Sequence, residues 1–288
     1  MSERPSITKG RNGKVVLIGA GPGDPELITL KAVRHLNLAD VILTDRLVND
    51  TIIRMHAPQA VVIPVGKQCR KNKSTPQLTI NELLVFHANA GRYVVRLKGG
   101  DASVFSNIAD ELETLIQHEI PYEIVPGITA ALGAAASLGV PLTARGLSKG
   151  IRLLTFYNDA AIAPGEWENL ATTGDTLVFY MSGETSVQLA ERLISFGKSP
   201  DTPILLAEQA TTPLEVVTLS TLKNCIAEWK DRTFLSPALL IIGKVAALHN
   251  RYSWKQHLTH ATEYFPKVIK PAARPTSNMK QVAVQNYL

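Results

Sequence analysis

Apolar and polar positions fall in blocks of two kinds along the chain. Short apolar runs rich in β-branched residues include the uncharged Val15-Val16-Leu17-Ile18, the stretch Asp40–Thr44 and the stretch Ala60–Pro64. Arg92–Leu97 and Tyr122–Val125 have the same character. Runs of this kind, bounded by glycine, proline or charge, predict buried parallel strands. Between them, apolar residues recur at helical spacing and predict helices over 27–36, 50–56, from Pro76 onward and around 108–118. Pro76 suits the first turn of its helix. Residues 130–138 are nearly all alanine, glycine and leucine, a composition for close helix packing.

The second half restarts the pattern. Strands are predicted at 151–156, 176–180, 203–208 and 238–242, the last closing the sheet. The alternating stretch 214–219 reads as an antiparallel strand. Helices are predicted at 165–170, 185–196 with Gly197 as C-cap, and 221–229. Strand, turn and helix in alternation imply an α/β protein, mostly parallel, with helices on the sheet faces. Each polar or glycine-rich cluster falls at the carboxyl end of a strand, so the clusters are expected to converge on one sheet edge. A boundary near Arg145 gives two α/β domains, 13–145 carrying most of the site and 146–250 completing it. Residues 1–12 and 257–288 read as disordered tails.

Composition narrows the class. A chain of 288 residues with 45% hydrophobic and 19% charged content can bury a substantial core. No apolar run approaches the roughly 20 residues of a membrane helix. The polar start MSERPSITKGRNG lacks a signal-peptide core, so a cytoplasmic protein is expected. Cys69 and Cys225 lie far apart, without zinc spacing, and read as reduced thiols. The net charge of +5 owes much to Arg251, Lys255, Lys267, Lys270, Arg274 and Lys280 near the end, set against Glu263. The remainder is near neutral, which argues against a nucleic-acid enzyme.

Chemistry is concentrated in KVVLIGAGPGDPEL, residues 14–27. A strand breaks into Gly19-Ala20-Gly21-Pro22-Gly23, which lets the backbone turn and approach a ligand. Asp24, Pro25 and Glu26 then read as an N-cap, a first-turn proline and a first-turn acid. A dinucleotide fingerprint needs G-x-G-x-x-G, whereas this loop has G-x-G-x-G. Asp45 stands about 20 residues on, where a ribose-binding acid would be expected. On these residues alone, a nicotinamide site, another small-molecule site and a plain tight turn all remain open.

Further motifs decide among them. GAGPGDPELITLKA, TDRLV, VGK, VVRLKGGD, VPGITAALGAAASLGVPLT, LVFYM and SPALLIIGKVAAL follow one another in the order and spacing of a known family. Over residues 13–254 the chain resembles the tetrapyrrole methylases, most of all the uroporphyrinogen-III C-methyltransferases and the methylase module of sirohaem synthases. The resemblance implies two α/β domains with a cofactor cleft between them, and a homodimer. It implies S-adenosylmethionine as cofactor, leaving as S-adenosylhomocysteine, and methylation of uroporphyrinogen III to precorrin-2 by way of precorrin-1. Cofactor contacts carry over to Pro22, Gly99, Gly100, Asp101, Val104, Thr129, Ala130, Met181 and Ala210. Asp45 carries over as proton acceptor and Lys67 as proton donor. The substrate has eight carboxylates and calls for cations. Lys67, Arg96, Lys98 and Arg145 are candidates in the cleft, with Arg46 and Arg70 at its rim. Substrate contacts are assigned to Arg46, Asp110 and Arg145.

The chain departs from the family on the macrocycle side. Where the family has an arginine after the K-G-G-D motif, this chain has Asn107, and a following glutamate is Asp110. The T-H-R-G motif becomes Thr143-Ala144-Arg145-Gly146, and T-G-H becomes Thr155-Phe156-Tyr157. Another tetrapyrrole substrate, or a non-catalytic homologue that holds the cofactor or a tetrapyrrole, is therefore the alternative expectation.

Overall fold

The computed structural model describes residues 13–66, 76–157, 162–258 and 260–265. Lys67, Cys69, Arg70 and the segments 1–12 and 266–288 lie outside the described residues.

The first half forms an all-parallel sheet. Its strands are β1 (Lys14–Gly19), β2 (Val41–Thr44), β3 (Val61–Pro64), β4 (Tyr93–Lys98) and β5 (Tyr122–Val125), in the order β3-β2-β4-β1-β5. The dinucleotide fold runs 3-2-1-4-5. Here β4 is wedged between β1 and β2, and the nicotinamide reading loses its scaffold. Alternate strand residues face opposite ways. Val16, Ile18, Ile42 and Leu97 pack with α1 (Leu30–Leu36) and α2 (Asp50–His56). Val15, Leu17, Leu43 and Val94 pack with α3 (Gln77–Asn89) and α4 (Ile108–Gln117) on the other face.

Asp24 and Pro25 do not begin the expected helix over 27–36. They start a 3-10 turn, Pro25–Leu27, with Asp24 accepting from the Glu26 amide. The helix itself begins at Leu30, where the Thr29 hydroxyl accepts from the Ala32 amide. A second cap five residues downstream takes over, so the extended residues Ile28 and Thr29 separate the two elements.

The second half is a mixed sheet, not a parallel one. Its strands are β6 (Ile151–Thr155), β7 (Thr176–Tyr180), β8 (Pro203–Glu208), β9 (Val216–Thr221) and β10 (Ala238–Ile242). The order is β6-β7-β10-β8-β9, with only β6 and β7 parallel. The last strand therefore does not close the sheet. It fills the centre, antiparallel to both neighbours, which accounts for its uninterrupted burial over Leu239–Ile242. One face packs on α6 (Pro164–Thr172), α7 (Ser186–Ser195) and α8 (Leu222–Glu228) through Trp167, Leu193 and Cys225. Burial pushes the Cys225 thiol pKa up to about 12, consistent with an inert core thiol.

The other face receives α5 (Ala130–Leu138). Ala131, Ala134 and Leu138 share a core with Val178, Leu205 and Ile241. A helix that precedes residue 145 thus packs on the second sheet. The described residues then close with α9 (His249–Tyr252) and an irregular segment up to Phe265. Residues 257, 258 and 260–265, expected to be disordered, instead lie against the body: Phe265 is buried and Leu258 bridges to Val216.

Candidate active site

Loops from both sheets gather around the glycine turn after β1. The Gly21 amide donates to the Gly100 carbonyl at 3.0 Å, and the Gly100 amide donates back to Gly21 at 2.7 Å. At Gly127 an added Cβ would lie 2.3 Å from the Gly100 carbonyl oxygen, and at Gly19 2.6 Å from that same oxygen. Three strand ends therefore touch through bare backbone, which only glycine permits. At Gly100, where φ is +68°, an added Cβ would meet nothing nearer than the Ala130 amide at 3.9 Å. The backbone there is open toward Thr129 and Ala130.

Asp101 is nine-tenths buried beside this opening. Its Oδ1 accepts from the Ser103 amide at 2.8 Å, and its Oδ2 accepts from the Gly127 amide at 2.9 Å. Burial alone would raise its pKa, but the hydrogen bonds from Ser103 and Gly127 hold it below the usual carboxylate value. It stays ionised and retains free lone pairs for a ligand. Val104 follows, half-buried.

Second-sheet loops complete the group. Tyr180, at the end of β7, has its hydroxyl 2.7 Å from the Thr129 hydroxyl and accepts from the Ala131 amide at 3.1 Å. Met181 follows with φ +57°, and its sulfur lies 3.8 Å from the Tyr157 hydroxyl. Phe105 packs on Tyr180 with ring centroids 4.9 Å apart. Pro22 sits against α5 at Gly133, where an added Cβ would be 2.5 Å from Pro22 Cγ. Gly23 packs on Ala210, Thr211 and Thr212, and the Asp24 amide donates to the Thr211 hydroxyl at 3.1 Å. Pro22, Gly100, Asp101, Thr129, Ala130, Met181 and Ala210 are therefore neighbours through short chains of contacts. Gly99 adjoins Leu47, at 3.1 Å from an added Cβ, and so links the group to the loop after β2.

That loop carries Asp45, whose Oδ1 lies 2.5 Å from Arg96 Nη2. Arg96 Nε donates to Glu111 Oε1 at 2.9 Å, and Lys98 Nζ donates to Glu111 Oε2 at 2.9 Å. Arg96 and Lys98 are each 2% exposed and Glu111 is fully buried. This corrects the expectation that Arg96 and Lys98 serve substrate carboxylates: two buried cations are already matched by Glu111 and Asp45. Burial works against the Arg96 charge, but Asp45 and Glu111 outweigh it and raise its pKa. Lys98 is lowered by burial and by Arg96, against the pull of Glu111.

Arg46 differs from those two. Its Nε is shielded from solvent without a hydrogen-bond partner, and its Nη2 is 3.5 Å from the Ser236 hydroxyl. A buried guanidinium nitrogen without an acceptor is costly, and an acceptor brought to it would offset that cost. Gly66 packs directly on the Arg46 backbone, at 2.8 Å from an added Cβ to the Arg46 nitrogen.

Two expected substrate residues are not drawn into this group. Asp110 is exposed on α4, while its neighbour Glu111 turns inward. Arg145 is exposed in the turn bridged by Ala144 and Ser148. Ser148 bonds Thr176, the first residue of β7, whereas Met181 follows the last. Five strand residues, about 13 Å, separate those ends. Glu111 and Tyr180 are the members that sequence reasoning missed. Glu111 was detectable as an acid on the apolar stripe Ile108–Leu112–Leu115, facing cations two apart on β4.

Two joined α/β sheets whose strand-end loops meet around bare glycines define a protein built to hold one small molecule against its backbone. The chain belongs to the tetrapyrrole (corrin/porphyrin) methylases, whose family model matches residues 14–225. It is 45% identical over 244 residues to a sirohaem synthase of Neisseria meningitidis serogroup B, covering 85% of this chain and 50% of that protein. The chain thus spans about half the length of the curated relatives it matches. It superposes with a TM-score of 0.72 and 38% identity on uroporphyrin-III C-methyltransferase from Thermus thermophilus, covering 85% of this chain and 99% of that one. The same Thermus enzyme in complex with S-adenosylhomocysteine matches with a TM-score of 0.69 and 39% identity, over 82% of this chain and 99% of that one.

Proposed function

We propose that this chain methylates uroporphyrinogen III at pyrrole carbons with S-adenosylmethionine, giving precorrin-2 by way of precorrin-1. The observation that carries this reading is the meeting of Pro22, Gly100, Asp101, Thr129, Met181 and Ala210 from two sheets around an open stretch of backbone. The residues fit the cofactor. The space over Gly100 admits close backbone contact, ionised Asp101 suits an ammonium or hydroxyl, and Met181 offers an apolar, polarisable surface. When bound, S-adenosylmethionine supplies the activated methyl group, and S-adenosylhomocysteine leaves.

The chain's own work is alignment and proton movement. A substrate pyrrole carbon takes the methyl as the carbon–sulfur bond breaks, and the ring must then shed a proton. Asp45 accepts that proton, with one carboxylate oxygen held by Arg96 and the other available. Arg46, half-buried at the edge of the site, supplies its guanidinium to a substrate carboxylate. Lys67, which directly follows Gly66, keeps the proton-donor role that the family resemblance implies. We also propose a homodimer. Its support is an apolar groove of about 450 Å³ lined by Leu132, Val140, Pro141 and Ile151, with Leu132 and Ile151 exposed.

Neutral, exposed Asn107 favours one second reading, a homologue that binds cofactor or tetrapyrrole without turnover. The test is incubation with uroporphyrinogen III and methyl-labelled S-adenosylmethionine. Label in the macrocycle is expected. Intact S-adenosylhomocysteine binding with no label in the ring would favour the second reading.

A further inference from the structure

The segment after α9 lies beyond the residues matched by the family and has no role in the chemistry above. It nevertheless makes ordered contacts with both halves of the molecule. Trp254 Nε1 donates to the Ala136 carbonyl at 2.8 Å, holding the segment to α5. Lys255 Nζ and His257 Nδ1 lie 3.0 Å and 2.9 Å from Glu215 Oε1. Glu215 is itself buried, and its Oε2 accepts from the Thr211 amide at 2.7 Å. The segment thus meets the loop that carries Ala210 and Thr211.

Gln209 makes the contact specific. It is fully buried, in the left-handed region with φ +52°. Its carboxamide donates to the Thr262 carbonyl at 2.9 Å and accepts from the Tyr264 amide at 2.5 Å. A carbonyl and an amide two residues apart are what a neighbouring strand would bond, so the side chain acts as a one-residue strand. On the other side, Asn49 Nδ2 donates to the Tyr264 hydroxyl at 3.0 Å and to the Gly23 carbonyl at 2.8 Å. Buried Phe265 anchors the end. Tyr264 therefore reaches the loop after β8 through its backbone and the glycine turn after β1 through its hydroxyl.

We infer that residues 254–258 and 260–265 form a strap that fixes the two cofactor loops relative to each other, and that Tyr264 is a positioning residue for cofactor binding. This rests on the reading that Pro22 and Ala210 flank the cofactor. Without the hydroxyl, Asn49 keeps Gly23 but no longer ties it to the strap. The loops at Gly23 and Ala210 then move independently, and ordering them falls to the cofactor.

The full chain carrying Tyr264→Phe tests this. One hydrogen bond of ordinary strength predicts an S-adenosylhomocysteine Kd and an S-adenosylmethionine KM raised about threefold to tenfold. The uroporphyrinogen III KM should stay within about twofold, and Tm should fall by no more than about 5 °C, the loss expected for one hydrogen bond. Amide hydrogen exchange at Asp24 and Thr211 should quicken in the cofactor-free variant. An unchanged Kd with unchanged exchange would overturn the strap's role. So would a parallel rise of both KM values with a fall in Tm well beyond about 5 °C, because that marks general loosening. If the unaltered chain fails to bind S-adenosylhomocysteine, the functional reading falls, and the exchange comparison still decides whether the strap holds the loops.

Discussion

Asp45 and Arg96 are joined at 2.5 Å, with the guanidinium of Arg96 also bonded to buried Glu111. One carboxylate oxygen of Asp45 is therefore fixed in direction while its side chain keeps a solvent-facing part. A proton acceptor needs both a set position and access, and this pairing supplies them. Asp45→Asn preserves the shape and removes the base. Methyl incorporation into uroporphyrinogen III should fall by at least about 100-fold, with S-adenosylhomocysteine affinity unchanged by calorimetry. Label incorporation near the unaltered rate would remove Asp45 from the chemistry.

Glu111 bonds both Arg96 and Lys98 where water does not reach, and with Asp45 it balances their two charges. Glu111→Leu leaves those cations with Asp45 alone. Removing one partner of a buried pair costs about 3–5 kcal/mol. Urea denaturation should show a loss of that size, whereas Glu111→Asp should recover part of it.

Arg46→Met removes the guanidinium, whose Nε has no partner. The KM for the octacarboxylate substrate should rise about tenfold or more, as expected for a lost charge-assisted bond. Arg46→Lys should recover only part, since an ammonium lacks the planar two-nitrogen fork that grips a carboxylate bidentately. Equal rises in the two substrates' KM values would show that Arg46 acts on the fold.

Gly133 gives Pro22 its seat on α5. In Gly133→Ala the new Cβ meets Pro22 Cγ at 2.5 Å and Thr211 at 3.2 Å, so the glycine turn must shift. Overpacking of this kind costs about 1–3 kcal/mol. S-adenosylhomocysteine titration should show at least about tenfold weaker binding, with most secondary structure retained by circular dichroism.

His87 sets part of the acid sensitivity. Burial first, and Arg92 second, lower its pKa below 6.5 in the folded chain. Its Nδ1 faces Arg92, and its Nε2 is buried without a partner. Below pH 6.5 the unfolded chain binds a proton that the folded chain refuses, so stability falls as pH drops through that window. Chemical denaturation between pH 7.5 and 5.5 should show this decline, and His87→Gln should make it shallower. A remaining slope is expected from His35 and His257, both also lowered chiefly by burial.

Strands β1 to β5 were legible because each is a short apolar run cut off by glycine or charge. The glycine turn was legible for the same reason, although its meaning was not. The pattern G-x-G-x-G fits several ligands, and only the wedge of β4 between β1 and β2 removes the nicotinamide scaffold. Strand order cannot be read from runs of apolar residues, which is also why β10 was expected at an edge. Arg96 and Lys98 were misread for a related reason. A cation on a strand looks free until the acid that answers it, Glu111, is brought across from another element. The strap was missed because its bonds go through backbone atoms and through Gln209 and Asn49, residues of no distinctive pattern.

Helix α5 comes early in the chain yet rests on the later sheet, while its Gly133 receives Pro22 from the earlier one. Chimeras that exchange halves between relatives at residue 145 would set one parent's helix on the other parent's strands. A junction between Val125 and Thr129 keeps the helix with its own floor, and only the contact with Pro22 then has to be matched anew.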